Sequence, residues 1–117
     1  MNKRDRTILV KIVEEAAVLA QMLIDVDETA FLANNEKMRA VCMTLINIGE
    51  LVKNLNNDFR MEHNQIPWKN IAGLRDVAAH GYFTLKMPDI WIYASQELPI
   101  HTALIKRLIE KEDTNGD

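Results

Sequence analysis

An all-α fold, a bundle of four to five helices, follows from three features of this 117-residue chain. Apolar residues recur at helical spacing over most of its length, and no alternating run is long enough to argue for a sheet. Only four Gly and three Pro leave little material for a turn-rich β architecture. A chain of this size can bury one core. Residues 1–110 are therefore expected to form a single domain, and the polar run KEDTNGD, residues 111–117, a disordered tail.

The first helix is expected from near Asp5 to near Val26. Ile8, Leu9, Ile12, Val13, Ala16, Leu19, Ala20 and Leu23 share one face, with Arg4, Lys11, Glu14 and Glu15 falling largely between them. Asp27 can cap a short turn carrying Phe31 and Leu32, which Asn34 and Asn35 then break. Asn35 begins a second long helix with a stripe of Met38, Val41, Leu45, Ile48, Val52, Leu55 and Phe59. Gly49 sits inside it at a cost on the order of 1 kcal/mol relative to Ala, which calls for a packing reason, such as the close approach of another helix. Glu50 follows, toward the flank of the stripe. It is either a solvated charge or a partner for a basic group elsewhere.

Asn56, Asn57 and Asp58 loosen the chain, and Met61 to Gln65 reads as a polar connection with His63 at the surface. Pro67 suits the first position of a third helix, which carries Trp68, Ile71, Leu74 and Ala78 inward and ends around Gly81. Pro88 opens the last section. Ile90, Trp91, Tyr93 and Ala94 suggest a helix that Pro99 kinks or splits before Leu104, Ile105, Leu108 and Ile109 continue it. His101 falls near that break and is expected to have no catalytic role.

Several function classes drop out. Cys42 is the one cysteine, so no intrachain disulfide forms, and its neighbours Val41 and Met43 suggest a buried thiol in a reducing compartment. The N-terminus turns from basic to apolar, yet Lys11, Glu14 and Glu15 interrupt any signal-peptide core. No stretch approaches the length of a membrane span, so a cytoplasmic location is expected, with no membrane partner. A net charge of −3 argues against broad coating of nucleic acid, though a local phosphate site is compatible with it. His63, His80 and His101 lack metal-ligand spacing, the glycines at 49, 73, 81 and 116 form no phosphate loop, and the lone Ser95 supports no triad. Neither a metal nor a cofactor is expected.

What remains is the stretch Ile66–Phe83, IPWKNIAGLRDVAAHGYF. It places Arg75, Asp76, His80 and Tyr82 among Val77, Ala78, Ala79 and Gly81. Small residues beside polar ones suggest that a second surface comes close, as in an active site at a helix end pressed against another subunit. Five helical positions are about 140° of rotation, so Arg75 and His80 do not share a face of a regular helix. Either the helix unwinds after Ala79 and turns His80 back, or a symmetric dimer supplies the missing partner. Tyr82 returns to the Arg75 face if the helix holds that far. Histidine can take a proton from an attacking hydroxyl or give one to a leaving oxygen. Arginine presents a fork of donors to phosphate oxygens. RNA brings its own nucleophile, the 2′-hydroxyl, and Asp76 could orient Arg75 or His80. Glu50 is the other acid that could pair with either. A structural salt bridge plus a helix-end histidine fits the same spacing, and spacing alone favours it.

Further residues shift that balance. IGE at Ile48–Glu50, IPW at Ile66–Trp68, GLRD at Gly73–Asp76, AHGYF at Ala79–Phe83 and IW at Ile90–Trp91 occur in order. Together they resemble the HepT-like branch of the HEPN superfamily, from the first helix to about Arg107. The resemblance implies a small all-α homodimer that acts as an endoribonuclease toxin of a type VII toxin–antitoxin pair. The family signature, Arg, four residues, His, one residue, Tyr, is matched by Arg75, His80 and Tyr82. In the family, arginine and histidine of both subunits form a composite, metal-independent RNase site at the dimer cleft. The antitoxin is an MNT-type nucleotidyltransferase that transfers AMP from ATP to the motif tyrosine, here Tyr82, and a larger assembly with it is compatible with this. On this reading Arg75 and His80 are catalytic, Glu50 and Asp76 support them, and RNA is the substrate. Many relatives carry Asn where this chain has Asp76, and a carboxylate there repels phosphate unless Arg75 pairs it. The alternative is a non-cleaving HEPN partner that binds or regulates a nucleotidyltransferase.

Overall fold

A computed structural model of the chain describes residues 1–84 and 86–115, with the backbone alone at 81–84 and 115. In order, the elements are α1 (Lys3–Met22), α2 (Glu28–Leu32), α3 (Asn35–Lys53), α4 (Asn57–Glu62), α5 (Trp68–Thr84), α6 (Met87–Ile92), a π-turn (Tyr93–Glu97) and α7 (Leu98–Asn115). The described residues contain no strand, in keeping with the all-α expectation. Four long helices, α1, α3, α5 and α7, make the bundle, and α2, α4 and α6 are short connectors.

Short polar side chains start four of these helices, α4 among them, where Asn56 accepts from the Asp58 amide at 2.9 Å. Asn2 accepts from the Asp5 amide at 2.7 Å, Asp27 from Ala30 at 2.8 Å and Asn34 from Lys37 at 3.0 Å. α1 stops at Met22, short of Val26. Lys37 Nζ donates to the Met22 carbonyl at 2.7 Å, and Asp25 turns the chain in a left-handed conformation, φ 58°.

α3 lies between α1 and α5, and α7 packs on α1. Val41, Leu45, Ile48 and Val52 of α3 are buried against Leu9, Ile12 and Leu19 of α1 and Ile71, Leu74 and Ala78 of α5. Phe31 is fully buried, and its ring meets Trp91 at 5.3 Å, which joins α2 to α6. Cys42 is buried as expected. Its Sγ lies 4.0 Å from Met87 Sδ, and burial pushes the thiol above its usual range.

Four further features depart from the sequence reading. Leu55 and Phe59 are buried but do not continue α3, because the chain bends after Asn54. The bend is held from outside: Asp5, only 1% exposed, accepts from the Asn56 amide at 3.0 Å. His63, expected at the surface, is half-buried with its ring tilted against Phe59 at 4.6 Å, and its carbonyl accepts from Trp68 Nε1 at 3.0 Å. Pro99 does not split the last section. A proline ring clashes with the carbonyl four residues back, and the wider π-turn ahead of it relieves that clash; Leu98 N–H bonds to Tyr93 O instead. Finally, α7 continues to Asn115, through residues assigned to a disordered tail. Arg6 grips Asp113 with two bonds of 2.8 and 2.7 Å, and the Met1 ammonium reaches Glu112 at 3.0 Å. Among the described residues no helix is long and apolar enough to cross a membrane.

The π-turn also carries a polar pair. Tyr93 Oη and His101 Nδ1 are 2.8 Å apart, both half-buried. Burial pushes the His101 imidazole below its ordinary value of 6.5, with Glu97 opposing more weakly. The neutral ring is therefore favoured in the folded state, so the unfolded chain takes up the proton first as pH falls. This contribution to stability is complete above the unfolded value and is lost as pH drops below it. The urea midpoint is expected to fall between about pH 7.5 and 5.5, and to fall less in His101→Gln. Equal slopes for the two proteins would show that His101 does not carry the effect.

Candidate active site

The site begins at a missing side chain. A Cβ on Gly49 would lie 2.9 Å from the Arg75 amide nitrogen, 3.0 Å from Arg75 Cβ and 3.1 Å from the Ala72 carbonyl oxygen. The packing reason expected for Gly49 is thus the crossing of α3 and α5, and the residue at the crossing is Arg75. Because Glu50 follows Gly49, the same contact sets its carboxylate beside the guanidinium. Oε1 pairs with Arg75 Nε. Of the two readings of Glu50, a solvated charge and a partner, the structure has the partner.

Asp76 is the second acid on Arg75, with Oδ1 3.6 Å from Nη1. The Arg75 and Glu50 side chains are each 46% exposed and Asp76 is 74% exposed. Water screens both pairs, so neither adds much to the stability of the fold.

His80 is also exposed, farther along α5. The expected end near Gly81 is not found, since α5 keeps its helical backbone to Thr84. One glycine costs a helix about 1 kcal/mol and does not by itself end it. That continuity removes the arrangement in which the chain unwinds after Ala79. Arg75 and His80 of one chain stay about 140° apart around the helix and are not brought together within it. Of the small residues, Val77 and Ala79 face outward, but Ala78 is 2% exposed and packs inside the subunit, so it is not on an outer surface. Tyr82 sits on the last turns of α5, and its side chain lies outside the described residues.

On the other side of Glu50, α1 and α3 form a groove of about 510 Å³ bordered by Lys11, Glu14, Glu15, Asn47, Glu50 and Asn54. Asn47 Nδ2 donates to Glu15 at 3.1 Å across it, and Asn54 Nδ2 donates to the Glu50 carbonyl at 2.9 Å. The sequence reading set these α1 charges only between the apolar positions of the helix face. No local pattern signals that they face α3. Among the described residues no group of three or more His, Cys, Asp or Glu side chains could hold a metal ion.

The family model described as ribonuclease HepT-like matches residues 12–108, a span that contains Glu50, Arg75, Asp76, His80 and Tyr82. The chain belongs to the HepT-like ribonuclease family. A protein of Caldanaerobacter subterraneus subsp. tengcongensis is 34% identical over 110 residues, covering 94% of this chain and 98% of the relative. One from Methanocaldococcus jannaschii is 35% identical over 120 residues, covering 99% of each. Both carry the name putative RNase. A Thermococcus cleftensis protein named probable ribonuclease HepT is 29% identical over 99 residues, 85% of this chain and 90% of its own. No solved structure matches the chain. For a HepT-like chain, the geometry adds a definite point: the arginine of the Arg-x4-His pattern is held at a helix crossing by an acid from another helix.

Proposed function

We propose that this chain is an endoribonuclease toxin that works as a homodimer and cleaves RNA without a metal. The observation that carries the reading is Arg75, fixed by Glu50 at the α3–α5 crossing yet half-exposed, five positions before a solvent-facing His80 in a HepT-like chain. A two-fold axis beside α5 would bring Arg75 of one subunit toward His80 of the other, which resolves their separation within each chain. Arg75 then stabilises charge on the phosphate oxygens. His80 accepts the proton as the 2′-oxygen attacks phosphorus, and a second histidine protonates the departing 5′-oxygen. The P–O5′ bond breaks, leaving a 2′,3′-cyclic phosphate and a 5′-hydroxyl. The nucleophile comes from the substrate, so the chain need supply only charge and protons.

An MNT-type nucleotidyltransferase is the proposed antitoxin, in a complex of two or more chains. It transfers AMP from ATP to the Tyr82 hydroxyl and releases pyrophosphate. The adenylate adds bulk and negative charge where RNA phosphate must sit, which suffices to block the site.

A second reading, a non-cleaving partner of such a transferase, is favoured by one observation: two carboxylates already lie on Arg75. The experiment is cleavage of RNA with EDTA throughout, using protein shown by mass to be unmodified at Tyr82. Cleavage to cyclic-phosphate ends is expected, and incubation with the transferase and ATP should add one AMP at Tyr82 and abolish it. An unmodified dimer that leaves RNA intact would select the second reading.

A further inference from the structure

Arg75 has two acidic neighbours, and their geometry differs in kind. Glu50 comes from α3, whose backbone is locked against α5 at Gly49, and it meets Nε, on the side edge of the guanidinium. Asp76 is the next residue on the same helix. Adjacent helical side chains diverge by about 100°, and Asp76 Oδ1 reaches only to 3.6 Å from Nη1, beyond hydrogen-bonding distance. It is also the most exposed of the three side chains.

We propose that the two acids have opposite roles: Glu50 is a positioning residue that fixes the guanidinium, and Asp76 is an exchangeable counter-ion that an RNA phosphate displaces from Nη1. The cleavage part of this rests on the ribonuclease reading; the binding part does not.

The chemistry of the guanidinium supports the division. Its end edge, Nη1 and Nη2, can bind two phosphate oxygens with parallel hydrogen bonds. A long, water-screened contact cannot hold that edge against a bidentate one. The Glu50 pair occupies a different edge and can persist while phosphate is bound. Asp76 therefore weakens the encounter with RNA, whereas Glu50 keeps the arginine aimed. A neutral residue at 76 removes the competition without disturbing the aim.

The test is a binding cycle with a short 2′-O-methyl RNA, which cannot be cleaved, followed by fluorescence anisotropy at low salt. Wild type, Asp76→Asn, Arg75→Ala and the double variant are compared, each checked for helix content. Asp76→Asn is expected to tighten binding roughly two- to fivefold, the range of an exposed ion pair, and to have no effect once Arg75 is Ala. An equal gain in both backgrounds would reduce Asp76 to a general surface charge and overturn the assignment. So would no gain, or binding that ignores Arg75. In cleavage assays Asp76→Asn should lower KM with kcat unchanged. Glu50→Gln, which keeps an acceptor for Nε–H, should retain most of kcat, while Glu50→Ala loses about tenfold. If Gln proves as poor as Ala, Glu50 is not a positioning residue. A protein that shows the binding cycle but never cleaves would retain the Asp76 exchange and discard the nuclease.

Discussion

Arg75→Ala is expected to lower kcat/KM for RNA cleavage by about 10²–10³-fold, the usual cost of removing one donor from developing oxyanion charge. Its folding stability should be almost unchanged, within about 0.5 kcal/mol. The two expectations belong together. Arg75 and Glu50 are each half in water, so removing the arginine strands no buried charge, and the fold loses only a screened pair. A large loss of activity at constant urea midpoint would therefore report on chemistry and not on unfolding. Arg75→Lys should stay paired with Glu50 as a point charge but lose the planar fork, so it should recover only part of the loss. His80→Ala is expected to cost about 10²–10⁴-fold, the range for a positioned acid–base group. Because the proposed site draws a histidine from each subunit, mixed dimers of Arg75→Ala and His80→Ala subunits keep only one of the two and should recover little of the activity. Wild-type rates from Arg75→Ala alone would remove the arginine from the mechanism.

Much of this is legible in the sequence alone. The stripe of α3 from Met38 to Val52, the Asp27 cap and the inward set Trp68, Ile71, Leu74 and Ala78 are local patterns, and the helices that carry them begin near where periodicity and capping put them, although α3 stops before Leu55 and α5 runs past Gly81. Gly49 was legible in a stronger way, because an unfavourable residue in a helix interior announces a packing demand. The features that were not legible depend on distant residues. Asp5 looks like an ordinary first-turn acid until the α3–α4 bend presents an unpaired amide to it. The π-turn before Pro99 hides the break that proline chemistry predicts. The helical end of α7 goes with ion pairs to Met1 and Arg6, more than a hundred residues away in the chain. At the site, Glu50 stayed between two readings because its pairing depends on the register of α3 against α5. Only the close approach at Gly49 decides that register.

The same crossing yields the sharpest test of the structure, a pair of identical substitutions with opposite signs. Gly73 and Gly49 both lie in helix interiors, so each gains roughly 0.5–1 kcal/mol of helix propensity on becoming Ala. A Cβ on Gly73 meets nothing within 4 Å, and Gly73→Ala should keep that gain. On Gly49 the new methyl stands 2.9 Å from the Arg75 amide nitrogen. Backbone cannot turn aside as a long side chain can, so α5 itself must move. Overpacking of this kind costs about 1–3 kcal/mol, which exceeds the propensity gain, and Gly49→Ala should be destabilised by roughly 1–2 kcal/mol. The displacement falls on Arg75 before it reaches any other functional side chain. A shift near 1 Å at a reacting group costs about 10²-fold in rate, so Gly49→Ala should lose cleavage even at temperatures where it remains folded. Urea unfolding and RNA cleavage on the two variants separate the outcomes. A Gly49→Ala protein as stable and active as Gly73→Ala would mean that the helices do not touch there, and the placement of Glu50 on Arg75 would fall with that contact.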